Sequence, residues 1–475
     1  MAQRIKEEIV SHVQSELKEL ESSQGLPFRE LLDEKRIKEA LARAGVSFRK
    51  RVFDPMTALA AFLSQVVASK DSSCEDAVSR VLAERVANGQ PACSTDTSSY
   101  CAARTRLPEQ AIAELTRQTG QELDEQAKDA WLWKGRHVKL VDGSTDEMTD
   151  TPANQAEYPQ SRTQEPGLGF PVLRLVALFS LATGAVLDCA IGPCRGKKTG
   201  EQSLFRQLWD ALKSGDILMG DRLYDAYRDI ALLQAQGVDT LFGKKQSRRC
   251  DFRKGRKVGP NDHVVEWKRP KFDATRFESK SEWEALPDEL EMREVRCIVR
   301  RPGYRTRTVE IVTTLLDSSL YSSKELTDLF AQRWHCELDL RSLKQALGMY
   351  RLRCRTPEMV RKELWVYLLA YNLIRVRMAQ AGAIHNKLPR NLSFTAAKTH
   401  MHNFALRMEG ASQADQDRLE AALLKAIATC TVGERPGRKE PRAVKKRKHK
   451  YKYLTQPRTQ ARKVSCFSWN WNDGR

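Results

Sequence analysis

Three residues in the run Phe330–Lys344, F-A-Q-R-W-H-C-E-L-D-L-R-S-L-K, have the types and spacing for phosphate chemistry: Arg333, Glu337 and Lys344. At ~100° per residue, Glu337 lies ~40° and Lys344 ~20° from Arg333 on a helical wheel, and the ~1.5 Å rise spreads the stripe over ~16 Å. Phe330 falls near the same line. A carboxylate flanked by two cations suits a site that holds metal ions and a phosphodiester together. An ordinary surface helix with an i,i+4 ion pair, worth only tenths of a kcal/mol, has the same residues. The company the helix keeps favours the first reading.

That company is acidic. Asp142 follows a short strand over His137–Val141, and Asp221 follows a strand over Ile217–Gly220. Between them the pattern predicts strands over Val172–Leu181 and Ala185–Ile191. A Gly/Lys turn at Gly196–Gly200 then opens a helix from Glu201 to about Lys213. A helix over Ala226–Gln236 and a strand over Val238–Phe242 follow. The order β-β-β-α-β-α-β is that of a ribonuclease H-like core, in which the first and fourth strands are neighbours. Parallel neighbours lie ~4.8 Å apart, so the two aspartates could bracket one or two divalent ions. An Asp at a strand end is more often a cap or turn residue, and Asp146, Asp150 and Asp225 read as turn residues.

The elements that must carry these residues are legible in outline. Ser322-Ser323-Lys324-Glu325 is a capping box and Gly348 a stop, so one helix is expected between them. Residues 1–130 read as a helical N-terminal domain, with an amphipathic lead over 1–24 and a basic connector at Ser47–Arg51. Asp54-Pro55 starts an apolar helix. A helix, a turn and the small-residue segment Ser98–Arg106, with Arg104 and Arg106, resemble a helix-turn-helix recognition unit as much as plain helical packing. The ribonuclease H-like core is assigned to 131–243 and 317–381, and a basic β-rich insertion to 244–316. In the insertion, Trp267 and Trp283 read as core aromatics before base-stacking ones. A C-terminal helical region covers 382–432 and a basic tail 433–475, with the run Lys445, Lys446, Arg447, Lys448.

Composition agrees with a polyanionic partner. The chain has 475 residues, 80 Lys and Arg against 61 Asp and Glu, a net charge of +19 and a pI near 9.5. Such a balance favours nucleic acid. Eleven cysteines without a C-x-x-C pair give neither a zinc nor a redox motif. The N-terminus has no apolar signal segment, and no membrane span is expected, which together fit a reducing cytoplasm.

With these residues in view, the chain resembles a DDE transposase of the insertion sequence 4 family. The family motif Y-x2-R-x3-E-x6-K is met at its last three positions by Arg333, Glu337 and Lys344, with Phe330 in place of the tyrosine. Val141-Asp142-Gly143-Ser144, with Asp150-Thr151-Pro152, resembles the region of the first catalytic aspartate, and Met219-Gly220-Asp221-Arg222 that of the second. The resemblance spans about residues 26–460.

It implies catalytic and metal-binding roles for Asp142, Asp221 and Glu337, with Mg²⁺ as cofactor and Mn²⁺ able to substitute. Asp142 would bridge two ions, and Asp221 and Glu337 would each hold one. Arg333, Lys344 and position 330 would contact DNA phosphates, the last without the tyrosine hydroxyl. Arg104, Arg106 and the Lys445–Lys448 run would add DNA contacts. The implied reaction is cut-and-paste transposition: hydrolysis at terminal inverted repeats, a hairpin step and strand transfer into target DNA. The implied partners are double-stranded DNA and a second protomer in a synaptic complex, in a bacterial cytoplasm at the nucleoid. Two rivals are a transposase-derived DNA-binding protein without catalysis and a simple nuclease on the same core.

Overall fold

The computed structural model describes residues 32, 34–45, 51–67, 73–274, 277, 279–299, 307–408, 411–432, 455–457 and 460–461. The lead over 1–24, most of the connector Ser47–Arg51 and the run Lys445, Lys446, Arg447, Lys448 lie outside them. The chain divides into two compact units.

The helical unit comprises residues 1–125, 345–348 and 364–432. Its early helices are α1 (Glu34–Arg43), α2 (Pro55–Val67), α3 (Cys74–Ala87), α4 (Ser98–Arg106) and α5 (Glu109–Glu125). Asp54 Oδ1 accepts the Thr57 amide at 2.8 Å and so starts α2. From Ala58 to Val67 every residue of α2 is buried, as its apolar sequence requires. Ser73 caps α3 by accepting from the Asp76 amide.

The sheet unit comprises the described residues within 126–344, 349–363 and 455–461. Its elements in chain order are β1 (Val138–Met148), α6 (Pro152–Glu157), β2 (Val172–Ser180), β3 (Val186–Pro193), α7 (Glu201–Phe205), β4 (Ile217–Gly220), α8 (Tyr227–Ala235) and β5 (Asp239–Gly243). Then come β6 (Arg256–Gly259), β7 (Asp262–Lys268), α9 (Lys280–Glu284), β8 (Glu289–Val299), β9 (Arg307–Thr313), α10 (Ser323–Ala331), α11 (Trp334–Arg341) and β10 (Arg351–Leu352). Residues 357–363 of α12 (Pro357–Ile384) belong here; the rest of α12, with α13 (Phe394–Met408) and α14 (Gln413–Thr429), belongs to the helical unit.

One sheet runs β3-β2-β1-β4-β5-β9-β8-β7-β6, with β10 also on β1. The insertion strands therefore continue the sheet past β5. The pairs β1–β4 and β4–β5 are parallel, while β1–β2, β2–β3 and β5–β9 are antiparallel. Burial of Val141, Val176, Leu178, Leu218 and Phe242 against Leu204, Phe205, Ile230 and Leu233 forms the core between sheet and helices. At about 25 cal/mol per Å² of apolar surface removed from water, that burial is the main force holding α7 and α8 to the sheet.

Two expected elements take a different form. The first strand does not stop at Val141 but runs on to Met148, because β2 pairs with it as far as Glu147. Asp142 is thus a mid-strand residue opposite Ala177. The helix opened by Glu201 gives way to a 3₁₀ segment over Arg206–Ala211.

Candidate active site

β1 has two parallel partners on the edge opposite β2. Val138–Leu140 pair with β4, and Glu147–Met148 with β10. Between these stretches, that edge of β1 carries no strand among the described residues. Leu140 is level with Met219, so Asp142 and Asp221, each two residues further on, stand at the same height where β4 ends. Ends of parallel strands at such a parting are the usual place for ligands in α/β sheets.

Each aspartate has a glycine beside it, and close packing explains both. A Cβ at Gly220 would stand 2.8 Å from the Tyr224 ring and 2.9 Å from Val141 Cγ1. A Cβ at Gly143 would stand 2.6 Å from Glu201 Cδ. Asp142 Oδ1 accepts from the Gly143 amide at 2.9 Å, and Asp221 Oδ1 from the Leu223 amide at 2.7 Å, which orients both carboxylates.

Glu337 arrives on a broken helix. The capping box of Ser322 and Glu325 is complete and starts α10. The expected single helix then tightens at Gln332 and Arg333: the amides of Gln332, Arg333, His335 and Cys336 each donate to the carbonyl three residues back. α11 follows, and Ser342–Ala346 widens into a π turn. The Arg333–Glu337 pair survives the break, with Arg333 Nη2 3.1 Å from Glu337 Oε1. The other arm, Nη1, lies 3.9 Å from Asp142 Oδ2. One guanidinium therefore spans a strand acid and a helix acid.

The acids feel one another. Burial pushes the Asp142 carboxyl up to about 6; the Gly143 amide and Arg333 pull it down, and the charges of Asp221 and Glu337 push it further up. Among the described residues, no three acidic, His or Cys side chains stand close enough to form a ready-made metal cage. What the site offers is an all-oxygen donor set whose crowded negative charge Arg333 offsets. Hard divalent cations such as Mg²⁺ and Ca²⁺ take such donors.

Lys344, like Arg333, reaches β1. It lies in the π turn, and its Nζ donates to the Thr145 carbonyl at the open edge of β1 at 2.7 Å and lies 3.3 Å from Asp146 Oδ1. Phe330 is 7% exposed and lines a cavity of about 770 Å³ with Asp221, Arg222, Lys244, Arg249 and Arg333. Lys244 is paired with Glu310 at 3.0 Å. Trp267 is buried beneath the Arg248 guanidinium, 3.3 Å from the ring centroid, and donates to Glu294. Trp283 donates to the Pro270 carbonyl.

In the helical unit, Arg104 turns inward. Its guanidinium lies 4.9 Å from the ring centroids of both Phe62 and Tyr100, and donates to Gln65 Oε1 at 3.1 Å. Arg106, at the C-terminal end of α4, is exposed.

Three residues at the site were not singled out from sequence for a role there. Asp146 is a strand residue, 1% exposed, and not in a turn. Tyr224 is buried, its hydroxyl has no hydrogen-bond partner among the described residues, and burial, then the charges of Asp142, Glu201 and Asp221, push its acidity far down. Glu201 packs against Gly143. The Asp-x-x-Tyr spacing of Asp221 and Tyr224 was available as a signal; a strand reaching Met148 was the missing clue for Asp146. Asp225, also read as a turn residue, is buried and pairs with Lys245 at 3.1 Å.

Comparison with known proteins bears on this arrangement. Residues 133–373, which include the strand acids, Glu337 and the insertion strands, match the family model described as the transposase DDE domain. The chain is 29% identical over 364 residues to transposase InsG for insertion sequence element IS4 of Escherichia coli (strain K12), covering 74% of this chain and 77% of that protein. A cryo-EM structure of the piggyBac transposase synaptic complex with hairpin DNA aligns with 85% of this chain and 88% of its own, at 12% identity and a TM-score of 0.41, a level that fixes no residue correspondences. With its DDE domain matched over half the chain and most of its length shared with an insertion sequence 4 enzyme, the protein belongs to the DDE transposases of the insertion sequence 4 family.

Proposed function

We propose that this transposase cuts and joins DNA at the terminal inverted repeats of its own element, with Asp142, Asp221 and Glu337 as its catalytic carboxylates. One observation carries the reading: two aspartates at the same height, one on β1 and one just past the end of its parallel neighbour β4, with Arg333 between the first of them and the helix-borne Glu337. The strand order β3-β2-β1-β4-β5 supports a ribonuclease H-like core. The insertion, the helical N-terminal domain and the basic tail would then extend the DNA interface, with Arg106 and the run Lys445–Lys448 facing phosphates.

Asp142, Asp221 and Glu337 would hold Mg²⁺, with Mn²⁺ able to replace it. Bound there, such ions would activate an attacking water or hydroxyl and stabilise the leaving 3′ oxygen. The chain's own residues do the rest. Asp142 and Asp221 are held by backbone amides, so they need little reorganisation. Arg333 offers a planar fork to a phosphate and Lys344 a point charge. Phe330 closes the cavity floor without the hydroxyl that the family tyrosine would add. Water would attack first and free a 3′ hydroxyl; that hydroxyl would attack the opposite strand, and after hairpin opening the target. A pair of protomers would hold two ends, in the bacterial cytoplasm at the nucleoid.

The test uses full-length protein, a duplex carrying the element's own terminal repeat, and Mg²⁺. Asp142→Asn, Asp221→Asn and Glu337→Gln should each cut cleavage at least ~10³-fold, the scale of losing a core electrostatic group, with end binding nearly unchanged. A variant that still cleaves at the wild-type rate removes its residue from the site. Phe330 favours one second reading, a sequence-specific DNA-binding protein without catalysis. Wild-type binding with no cleavage in Mg²⁺ or Mn²⁺ would establish that reading instead.

A further inference from the structure

We infer that Asp146 is a positioning residue for Lys344: its buried carboxylate and the Thr145 carbonyl pin the ammonium at the open edge of β1, leaving one N–H for a DNA phosphate. The inference rests on the proposed phosphate role of Lys344.

Between the stretches paired with β4 and β10, β1 has a free edge, and Thr145 lies within it. Lys344 Nζ donates to the Thr145 carbonyl at 2.7 Å, taking the place a strand amide would have filled. The same ammonium lies 3.3 Å from Asp146 Oδ1. A lysine ammonium has three donors; the Thr145 carbonyl takes one, and the ion-pair contact with Asp146 still leaves a donor for a phosphate. Side chains alternate along a strand, so Asp142, Ser144 and Asp146 share one face, with Asp146 about 13 Å beyond Asp142. A lysine fixed at Asp146 thus stands on the order of 13 Å along β1 from Asp142, so the phosphate it meets is a flanking one and not the one between the acids.

Asp146 is expensive to keep. Its side chain is fully buried, and among the described residues neither carboxyl oxygen has a hydrogen-bond partner; the 3.3 Å contact with Lys344 is an ion pair. Burial raises its carboxyl to about 6 and Lys344 partly lowers it. A buried acid with one ionic partner is weak evidence for stability, since a neutral residue of the same shape often serves the fold as well or better. What the carboxylate does add is direction: it fixes where a four-carbon flexible chain ends.

The experiment is a double-mutant cycle with full-length protein, a terminal-repeat duplex and Mg²⁺, measuring single-turnover cleavage of saturated complex, end-DNA Kd and Tm. Lys344→Ala is expected to slow cleavage about 100-fold, the scale of lost positioning. Asp146→Asn is expected to slow it about 10-fold, with Kd within about 3-fold and Tm not lowered. Asp146→Asn combined with Lys344→Ala is expected to be no slower than Lys344→Ala alone, because coupled residues are not additive. Multiplicative losses would overturn the inference, as would wild-type cleavage by Asp146→Asn. A Tm drop that accounts for the lost rate would make Asp146 a stability residue only. If Lys344→Ala cleaves normally, the phosphate role of Lys344 falls first and Asp146 with it.

Discussion

Replacing Arg333 with Gln should move two properties in opposite directions. The guanidinium stands 3.9 Å from Asp142 Oδ2 and 3.1 Å from Glu337 Oε1, between two carboxylates that would otherwise repel. A unit charge ~4 Å from a carboxylate is worth about 4 kcal/mol at an effective dielectric of ~20. These side chains are 22%, 20% and 34% exposed, for Arg333, Asp142 and Glu337 in turn. Solvent screening at such exposure leaves about 1 kcal/mol or less for each contact. A divalent cation entering the DNA-free site displaces this favourable charge, so its removal should tighten metal binding by about 1–2 kcal/mol, or roughly 5–30-fold in Kd. DNA cleavage should fall, because the fork that would position the phosphate is gone. The measurement is Mn²⁺ titration of DNA-free protein, followed by the free-ion electron paramagnetic resonance signal, beside end cleavage by the same variant. Unchanged or weaker Mn²⁺ binding by Arg333→Gln would refute the view that Arg333 stands in for cations between those acids.

Other outcomes follow from particular contacts. Phe330→Tyr places a hydroxyl at the cavity lined by Asp221 and Arg333 and should raise the end-cleavage rate about 2–10-fold, the worth of one added hydrogen bond to a phosphate; no change in a single-turnover assay would mean that no phosphate comes near the ring edge. Asp146 has a folded-state carboxyl near 6, above its ordinary 3.8, so its ionised form destabilises the fold above pH 6 and that cost is relieved as pH falls from 6 toward 4. Asp146→Asn should therefore gain up to about 3 kcal/mol at pH 7.5, with the gap from wild type narrowing by pH 5 in thermal melts. Arg293, fully buried, makes two bonds to Asp262 at 2.8 and 2.6 Å and donates to the Tyr321 carbonyl just before α10. Arg293→Met strands the buried Asp262 charge and should cost about 3–5 kcal/mol by denaturant melt.

Much of the site could be read from residue order. The capping box at Ser322 and Glu325 is set by local chemistry, and it formed where the pattern put it. The β-β-β-α-β-α-β order places Asp142 and Asp221 on adjacent strands because short parallel crossovers leave few alternatives. The end of β1 was less visible. Gly143, Ser144 and Asp146 are poor strand formers, and only pairing with β2 keeps that segment extended. A tertiary partner overrode local propensity, and Asp146 was mistaken for a turn residue as a result. Arg104, expected to contact DNA, instead packs inward, because nothing in Ser98–Arg106 says that Phe62 and Gln65 will receive its guanidinium.

The helical wheel over Arg333–Lys344 reads the residues rightly but treats as one regular helix a segment that is broken at both ends of α11. It assumes ~100° per residue throughout. The tight turn at Gln332–Arg333 and the π turn at Ser342–Ala346 break that assumption at both ends of α11. Arg333 and Glu337, four residues apart across a single tightened turn, still meet. Lys344, within the wider turn, reaches the open edge of β1, where backbone and acid receive it. π turns of this kind cluster at functional sites because they trade hydrogen-bond geometry for side-chain placement. The spacing from Glu337 to Lys344 is thus realised as a helix followed by a π turn that holds the lysine beside β1. A one-residue insertion or deletion between Leu340 and Lys344 would rotate the lysine away from Asp146, however well the altered helix packed.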